Sequence, residues 1–168
     1  LEGAFRPGHF EGVVQVVYRL LVIVKPTRLY MGQKDFQQFT IIAQMIRNLR
    51  MKVKLVVVPI QRSKDGLALS SRNVRLTKAK RKWAPIIYKN LKSAKRQVGK
   101  KTIAELCEEA MIALGKPRGY KPEYFSIIDG YSLKEVNNWN DSDYLIAVTA
   151  VWAGEVRLID NMILKQTK

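Results

Sequence analysis

The chain has 168 residues, 47% of them hydrophobic, and 30 Lys and Arg against 14 Asp and Glu, for a net charge of +16. That suits one ordinary domain with a sizeable core, or part of a domain with a small second one, and excludes a disordered chain. A single cysteine, Cys107, excludes an internal disulfide, and a single histidine, His9, excludes a His-rich or structural zinc site, so no metal site is expected from the side chains.

Residues 1–10 carry Glu2, Arg6 and His9 where a secretory signal needs an apolar core. The apolar runs at 13–24 and 55–60 are too short or too interrupted for a bilayer core of roughly 30 Å. A cytoplasmic location is expected, with Cys107 buried in the row Ile103, Leu106, Cys107, Ala110. The chain starts without Met, which points to a processed or truncated chain.

In chain order, Arg6-Pro7-Gly8-His9 precedes Val13, Val16, Val17, Leu20, Leu21 and Val24, whose i, i+3, i+4 spacing predicts a helix ending near Lys25-Pro26. Its β-branched content favours strand mildly, but the helical period outweighs that preference. Residues 28–31 read as a short strand and Gly32 as a turn. Residues 35–49 read as a second helix with Phe36, Phe39, Ala43, Ile46 and Leu49 inward. Residues 51–59, with Leu55-Val56-Val57-Val58, read as a buried strand. Helix, strand, helix, strand is the alternation of a parallel α/β sheet. Residues 60–75 form a polar loop after which the pattern changes, so the expected domains are 1–75 and 76–168.

In the second domain Thr77 can cap a helix with Trp83, Ile86, Ile87, Leu91 and Ala94 inward. Thr102 and Glu105 form a T-x-x-E capping box for another, closed by Gly115. Residues 124–129, 144–152 and 156–160 read as strands, the last two joined as a hairpin through Ala153-Gly154-Glu155. The predicted fold class is α/β: a parallel-sheet domain, then a small α+β domain.

Residues 66–104 contain twelve Lys or Arg and no Asp or Glu. Such a field attracts polyanions, whether nucleic acid, a membrane surface or a nucleotide triphosphate. A nucleic-acid-binding module is one alternative. Against it, Lys78, Lys82, Lys89, Lys92 and Lys95 lie mostly off the row Trp83, Ile87, Leu91, Ala94, as on a solvated helix face.

Two polar clusters stand at telling places. Residues 32–38 (GQKDFQQ) sit where a short strand hands over to a helix, a junction whose amides and dipole favour an anion, with Lys34 as a mobile point charge. On the motif alone, a helix start with Asp35 as cap and Lys34 in solvent is the more ordinary explanation. Residues 65–73 (DGLALSSRN) follow the second strand, and two hydroxyls before an arginine suit phosphate oxygens. Alone, Ser-Ser-Arg is more often a solvent loop; the pairing of the clusters is what points to a nucleotide.

Five segments resemble the pantothenate synthetase family, in its order and at its spacing: FRPGHFEGV at 5–13, YMGQKDFQQ at 30–38, VPIQR at 58–62, DGLALSSRN at 65–73 and RLIDN at 157–161. The resemblance runs over essentially the whole chain. It implies the C-terminal part of a Rossmann-like nucleotidyltransferase domain followed by a small α+β lid. The activity it implies is ATP- and Mg2+-dependent joining of pantoate to β-alanine through a pantoyl adenylate, with AMP and pyrophosphate released, in a homodimer that needs neither membrane nor nucleic acid. By the same resemblance Lys34 and Asp35 contact ATP, Gly32 allows close backbone approach, and Gln38 binds pantoate. Ser70, Ser71 and Arg72 grip the triphosphate, Leu69 stands where other members often have Met, and the backbone near Gln61 lies against adenine. Arg6 and His9 match a segment near the active site and Val17 an apolar position beside pantoate. Lys34, Ser70, Ser71 and Arg72 are thus the expected catalytic residues.

Gln33 departs from the family's usual glutamate. Gly8-His9 is not the superfamily's H-x-G-H signature, which needs two histidines and lies early in the first βα unit. That motif, with the asparagine and glutamine that complete the pantoate pocket, is expected outside this chain, which alone is expected to be catalytically incomplete. A non-catalytic interaction half of a split enzyme is the remaining alternative.

Overall fold

The structure, a computed structural model, describes residue 3 and residues 7–167; Arg6, one of the expected substrate-binding residues, lies outside them. The described elements are α1 (His9–Val24), β1 (Arg28–Gly32), a 3-10 turn (Gln33–Asp35), α2 (Phe36–Asn48), β2 (Lys54–Val58), a 3-10 turn (Ser71–Arg75), α3 (Lys78–Trp83), α4 (Ile86–Arg96), α5 (Ile103–Gly115), β3 (Tyr120–Asp129), β4 (Tyr144–Ala153) and β5 (Val156–Gln166). The chain divides into two compact units between Ile60 and Gln61. Among the described residues no helix is long and apolar enough to cross a membrane.

In the first unit α1 stops where expected: Lys25 turns left-handed, its N–H donating to the Leu21 carbonyl, ahead of Pro26, which disfavours a helical residue before it. Only one edge of the predicted apolar row faces inward. Val13, Val17 and Leu21, at i, i+4 and i+8, pack with Ile42, Met45, Leu29 and Met31, whereas Val16, Leu20 and Val24 are exposed. The β1–α2–β2 segment is a parallel crossover, with register from Arg28 opposite Lys54 to Gly32 opposite Val58. Within α2 the buried row is Phe36, Phe39, Ile42 and Met45 with Gln37 and Thr40; Leu49, expected inside, is exposed just past the helix end. β2, expected to be buried, is the larger correction, because Val57 and Val58 are exposed in this two-stranded sheet.

The second unit lays α4 and α5 against an antiparallel sheet of order β3-β4-β5. Its core runs through Ile87, Leu91, Leu106, Leu114, Ile127 and Leu145, none more than 3% exposed. Each such side chain contributes about 1.5–3 kcal/mol by leaving water. The single helix expected after Thr77 is two: Pro85 has no N–H to give and its ring crowds the turn before it, so α3 ends at Trp83 and α4 restarts at Ile86. Trp83, expected inside, is exposed, and Ala84 takes the buried place. β3 begins at Tyr120 and carries a register shift between Pro122 and Tyr124, and Gly154-Glu155 turns β4 into β5 with Ala153 opposite Val156. Burial raises the pKa of the half-buried Cys107 thiol, as its apolar row suggests.

The capping box at α5 forms as read: Thr102 Oγ1 accepts from the Glu105 N–H, and the Glu105 carboxylate accepts from the Thr102 N–H at 2.8 Å. Gly115 is the last helical residue, and the chain leaves through Lys116 in helical geometry. Thr102→Ala is expected to lower stability by about 1 kcal/mol, read as a shifted urea midpoint at unchanged slope. A midpoint within error of the parent would show that the cap contributes nothing.

Residues 61–75 were expected with the first domain, yet they fold onto the second unit. The reason is specific bonding: Arg62 pairs with Asp160 on β5, Arg81 of α3 holds Asp65, and Leu67 joins the core.

Candidate functional site

The first cluster begins at the carboxyl end of β1. Gly32 is extended, with φ −75° and ψ 134°, so its conformation does not demand glycine. A Cβ there would meet nothing within 4 Å, which leaves the strand's backbone approachable. The turn Gln33–Asp35 then hands the chain to α2, whose first amides lie beyond the reach of intrahelical acceptors. Lys34 lies largely tucked in, about 20% exposed, with Nζ 3.9 Å from the Asp35 carboxylate. Asp35 holds the N-cap position, but its side chain makes no capping bond, so an ordinary helix cap does not account for it. Gln38 is half-buried one turn further on. Behind it Phe36 and Phe39 meet edge to face at 4.8 Å, and the Thr40 hydroxyl donates to the Phe36 carbonyl. Val17 is a partly buried member of the core that α1 forms with Ile42, and the His9 ring lies 5.3 Å from that of Phe10.

The second cluster, in the other unit, is a tight hairpin followed by a turn. The Ser63 N–H donates to Leu67 and the Leu69 N–H to the Gln61 carbonyl, both at 2.9 Å, around a bridge between Arg62 and Ala68. Gly66 sits at the bend with φ +96°, a left-handed value that favours glycine. Asp65 accepts from Ser63 Oγ at 2.6 Å and from both Nη atoms of Arg81 at 2.6 and 3.1 Å. Beyond the hairpin, Ser70 Oγ accepts from the Arg72 N–H at 3.3 Å and the Ser70 carbonyl from the Asn73 N–H at 3.0 Å. Asn73 Nδ2 ties the turn back to the Ala68 carbonyl at 3.0 Å. Ser71 and Arg72 are exposed, as is Leu69, so the turn is fixed from within and presents its polar groups outward.

Hydrogen bonds from Arg81 and then Ser63 hold the Asp65 carboxyl well below its usual pKa. A carboxylate depressed in the folded state stabilises fully above its unfolded value, near 3.8, and loses that contribution as pH falls towards the folded value. The parent's advantage over Asp65→Asn in urea midpoint is therefore expected near neutrality, shrinking below pH 3.8 and in high salt. A difference that grows on acidification contradicts this.

Arg62, Asp65 and Asp160 stood in the quoted segments with no role given to them, and Tyr88 was not named at all, although each shapes the second cluster. One signal was available: Val156, Leu158, Asp160 and Leu164 alternate on one buried face of β5, and a carboxylate there has to find a donor. Lys78, Lys82, Lys89, Lys92 and Lys95 are all exposed, as a solvated face requires. Among the described residues, no group of three or more His, Cys, Asp or Glu converges on a possible metal position.

A sequence model of the family described as Pantoate-beta-alanine ligase matches residues 1–163. Pantothenate synthetase of Bacteroides fragilis is 44% identical over 167 residues, which is 99% of this chain and 59% of that protein. The enzyme of Bacteroides thetaiotaomicron is 45% identical over 166 residues, with the same coverage. Among solved structures, pantothenate synthetase from Thermus thermophilus superposes with a TM-score of 0.91 at 38% identity, covering 98% of this chain and 59% of its own. A Francisella tularensis pantoate-beta-alanine ligase, solved with beta-gamma ATP and beta-alanine, gives 0.71 at 36% identity, covering 98% and 54%. The chain thus spans less than two thirds of the length of these relatives.

Proposed function

The chain belongs to the pantoate–β-alanine ligase family, and we propose that it supplies nucleotide-binding residues to an enzyme that condenses pantoate with β-alanine at the expense of ATP. In the first step a pantoate carboxylate oxygen attacks the α-phosphorus and pyrophosphate leaves. In the second the β-alanine amine attacks the acyl carbonyl, AMP leaves, and the amine's surplus proton passes to solvent. No bond to the protein forms, so catalysis rests on positioning and on charge placed where charge develops.

The reading's strongest support is the Ser70–Arg72 turn, held open by its own hydrogen bonds inside a family match that runs over nearly the whole chain. Ser70, Ser71 and Arg72 are assigned to the triphosphate, Lys34 to charge on the phosphates, Gly32 to backbone approach and Gln38 to pantoate; Gln61, Leu69, Val17 and Arg6 are assigned the supporting roles that the family resemblance implies. Mg2+ binds proteins through one or two carboxylates plus substrate phosphates, and the half-exposed Asp35 beside Lys34 fits that donor set better than an all-protein cage. When bound, the ion neutralises phosphate charge. A reduced, lone Cys107 is in keeping with work in the cytoplasm, and a homodimer is the assembly the family resemblance favours.

The test uses pantoate labelled with 18O in its carboxylate. If an adenylate forms, one labelled oxygen leaves in AMP; label-free AMP alongside product rules the adenylate out. With one histidine among its residues, the chain does not itself hold a histidine pair for adenylyl transfer. The 168 residues alone are therefore expected to form no pantothenate, and measurable product from them overturns that part.

A further inference from the structure

Arg62 invites assignment to phosphate, as an arginine close in sequence to a Ser-Ser-Arg turn, but its surroundings exclude that use. Its Nη1 and Nη2 donate to the two oxygens of Asp160 at 2.6 and 2.9 Å. The side chains of this pair are 16% and 3% exposed. Nη1 also reaches the Gly66 carbonyl at 3.1 Å and Nη2 the Asn161 carbonyl at 3.4 Å, while the guanidinium lies 4.1 Å over the Tyr88 ring. An anion competing for this group would have to displace a carboxylate that already satisfies it bidentately. One planar fork thus binds strand β5 on one side and the bend of the hairpin on the other, and Ser70 follows directly from that hairpin's last bonded residue, Leu69.

Buried ion pairs seldom stabilise more than well-packed apolar residues of similar volume, so such a pair is poorly explained by stability alone. Here the geometry supplies a second role. We propose that Arg62 and Asp160 are positioning residues for the Ser70–Arg72 turn, fixing where its hydroxyls and guanidinium stand without touching the nucleotide. The inference rests on the assignment of that turn to the triphosphate.

The ligase that carries this chain is compared with Arg62→Lys, Asp160→Asn, Arg62→Met and the double variant Arg62→Met with Asp160→Leu, measuring melting temperature together with KM for ATP in pantoate-dependent pyrophosphate release. Lysine keeps the charge but loses the fork, so Arg62→Lys is expected to raise KM for ATP by about tenfold or more, and Asp160→Asn to do the same. The double variant is expected to regain the melting temperature lost in Arg62→Met while its KM for ATP stays raised. A parental KM in Arg62→Lys, or in the double variant, overturns the positioning role. So does a raised KM in Arg62→Lys beside a parental one in Asp160→Asn, which would make Arg62 a direct ligand. A parent with no pantoate-dependent pyrophosphate release overturns the ligase reading itself, and this inference with it.

Discussion

Lys34→Ala is expected to slow pantoate-dependent pyrophosphate release by about a hundred- to a thousandfold, the cost of removing one preorganised donor from developing charge. The ammonium sits in a short turn between a strand end and a helix start, 3.9 Å from the Asp35 carboxylate. That neighbour carries the opposite charge at the outer limit of an ion pair. Lys34 is largely covered, so the melting temperature is measured beside the rate, and only a slow variant that still melts as a folded protein counts for the phosphate role. Arginine keeps the charge but presents a wider, planar group, so Lys34→Arg should recover only part of the rate. Near-parental pyrophosphate release from Lys34→Ala would remove Lys34 from the phosphate assignment.

Gly66→Ala should have a large effect on stability. Two costs add at this position. A left-handed φ of +96° is unfavourable for any residue with a Cβ, by about 1–2 kcal/mol. The added Cβ would also collide with the Tyr88 ring, and such overpacking typically costs about 1–3 kcal/mol. Tyr88 cannot simply swing aside, because the Arg62 guanidinium stacks on its ring and Lys92 lies 5.6 Å from it. A total of roughly 2–5 kcal/mol corresponds to a fall in Tm on the order of 10 °C or more. Adding Tyr88→Leu should relieve the collision and leave the dihedral cost, giving partial recovery. Full recovery would show that the dihedral costs nothing, and a Gly66→Ala protein melting with the parent would sink both terms.

What the sequence disclosed was mostly local. The capping box at Thr102 and Glu105, the stop at Lys25-Pro26 and the hairpin around Gly154 each depend on residues within a few positions, and each forms as read. The faces of α1 were harder, because a helix rich in Val and Leu all round offers two stripes, and the packing partners Ile42 and Met45 select Val13, Val17 and Leu21 over Val16, Leu20 and Val24. At Pro85 the signal was visible, but the apolar period running across it masked the break between α3 and α4. In the candidate site, motif and resemblance name Lys34 and Ser70 to Arg72 as candidates. The pairing of Arg62 with Asp160 could not, since no periodicity links residues 98 positions apart.

That separation bears on the order in which the molecule is made. Arg62 leaves the ribosome well before Asp160, and closing so long a loop is entropically unfavourable until the sheet between them exists. The bond that secures the hairpin therefore belongs among the last steps of folding. A nascent or partly folded second unit holds the Ser-Ser-Arg sequence without its final geometry, so the shape of that turn arrives with β5 rather than with the motif.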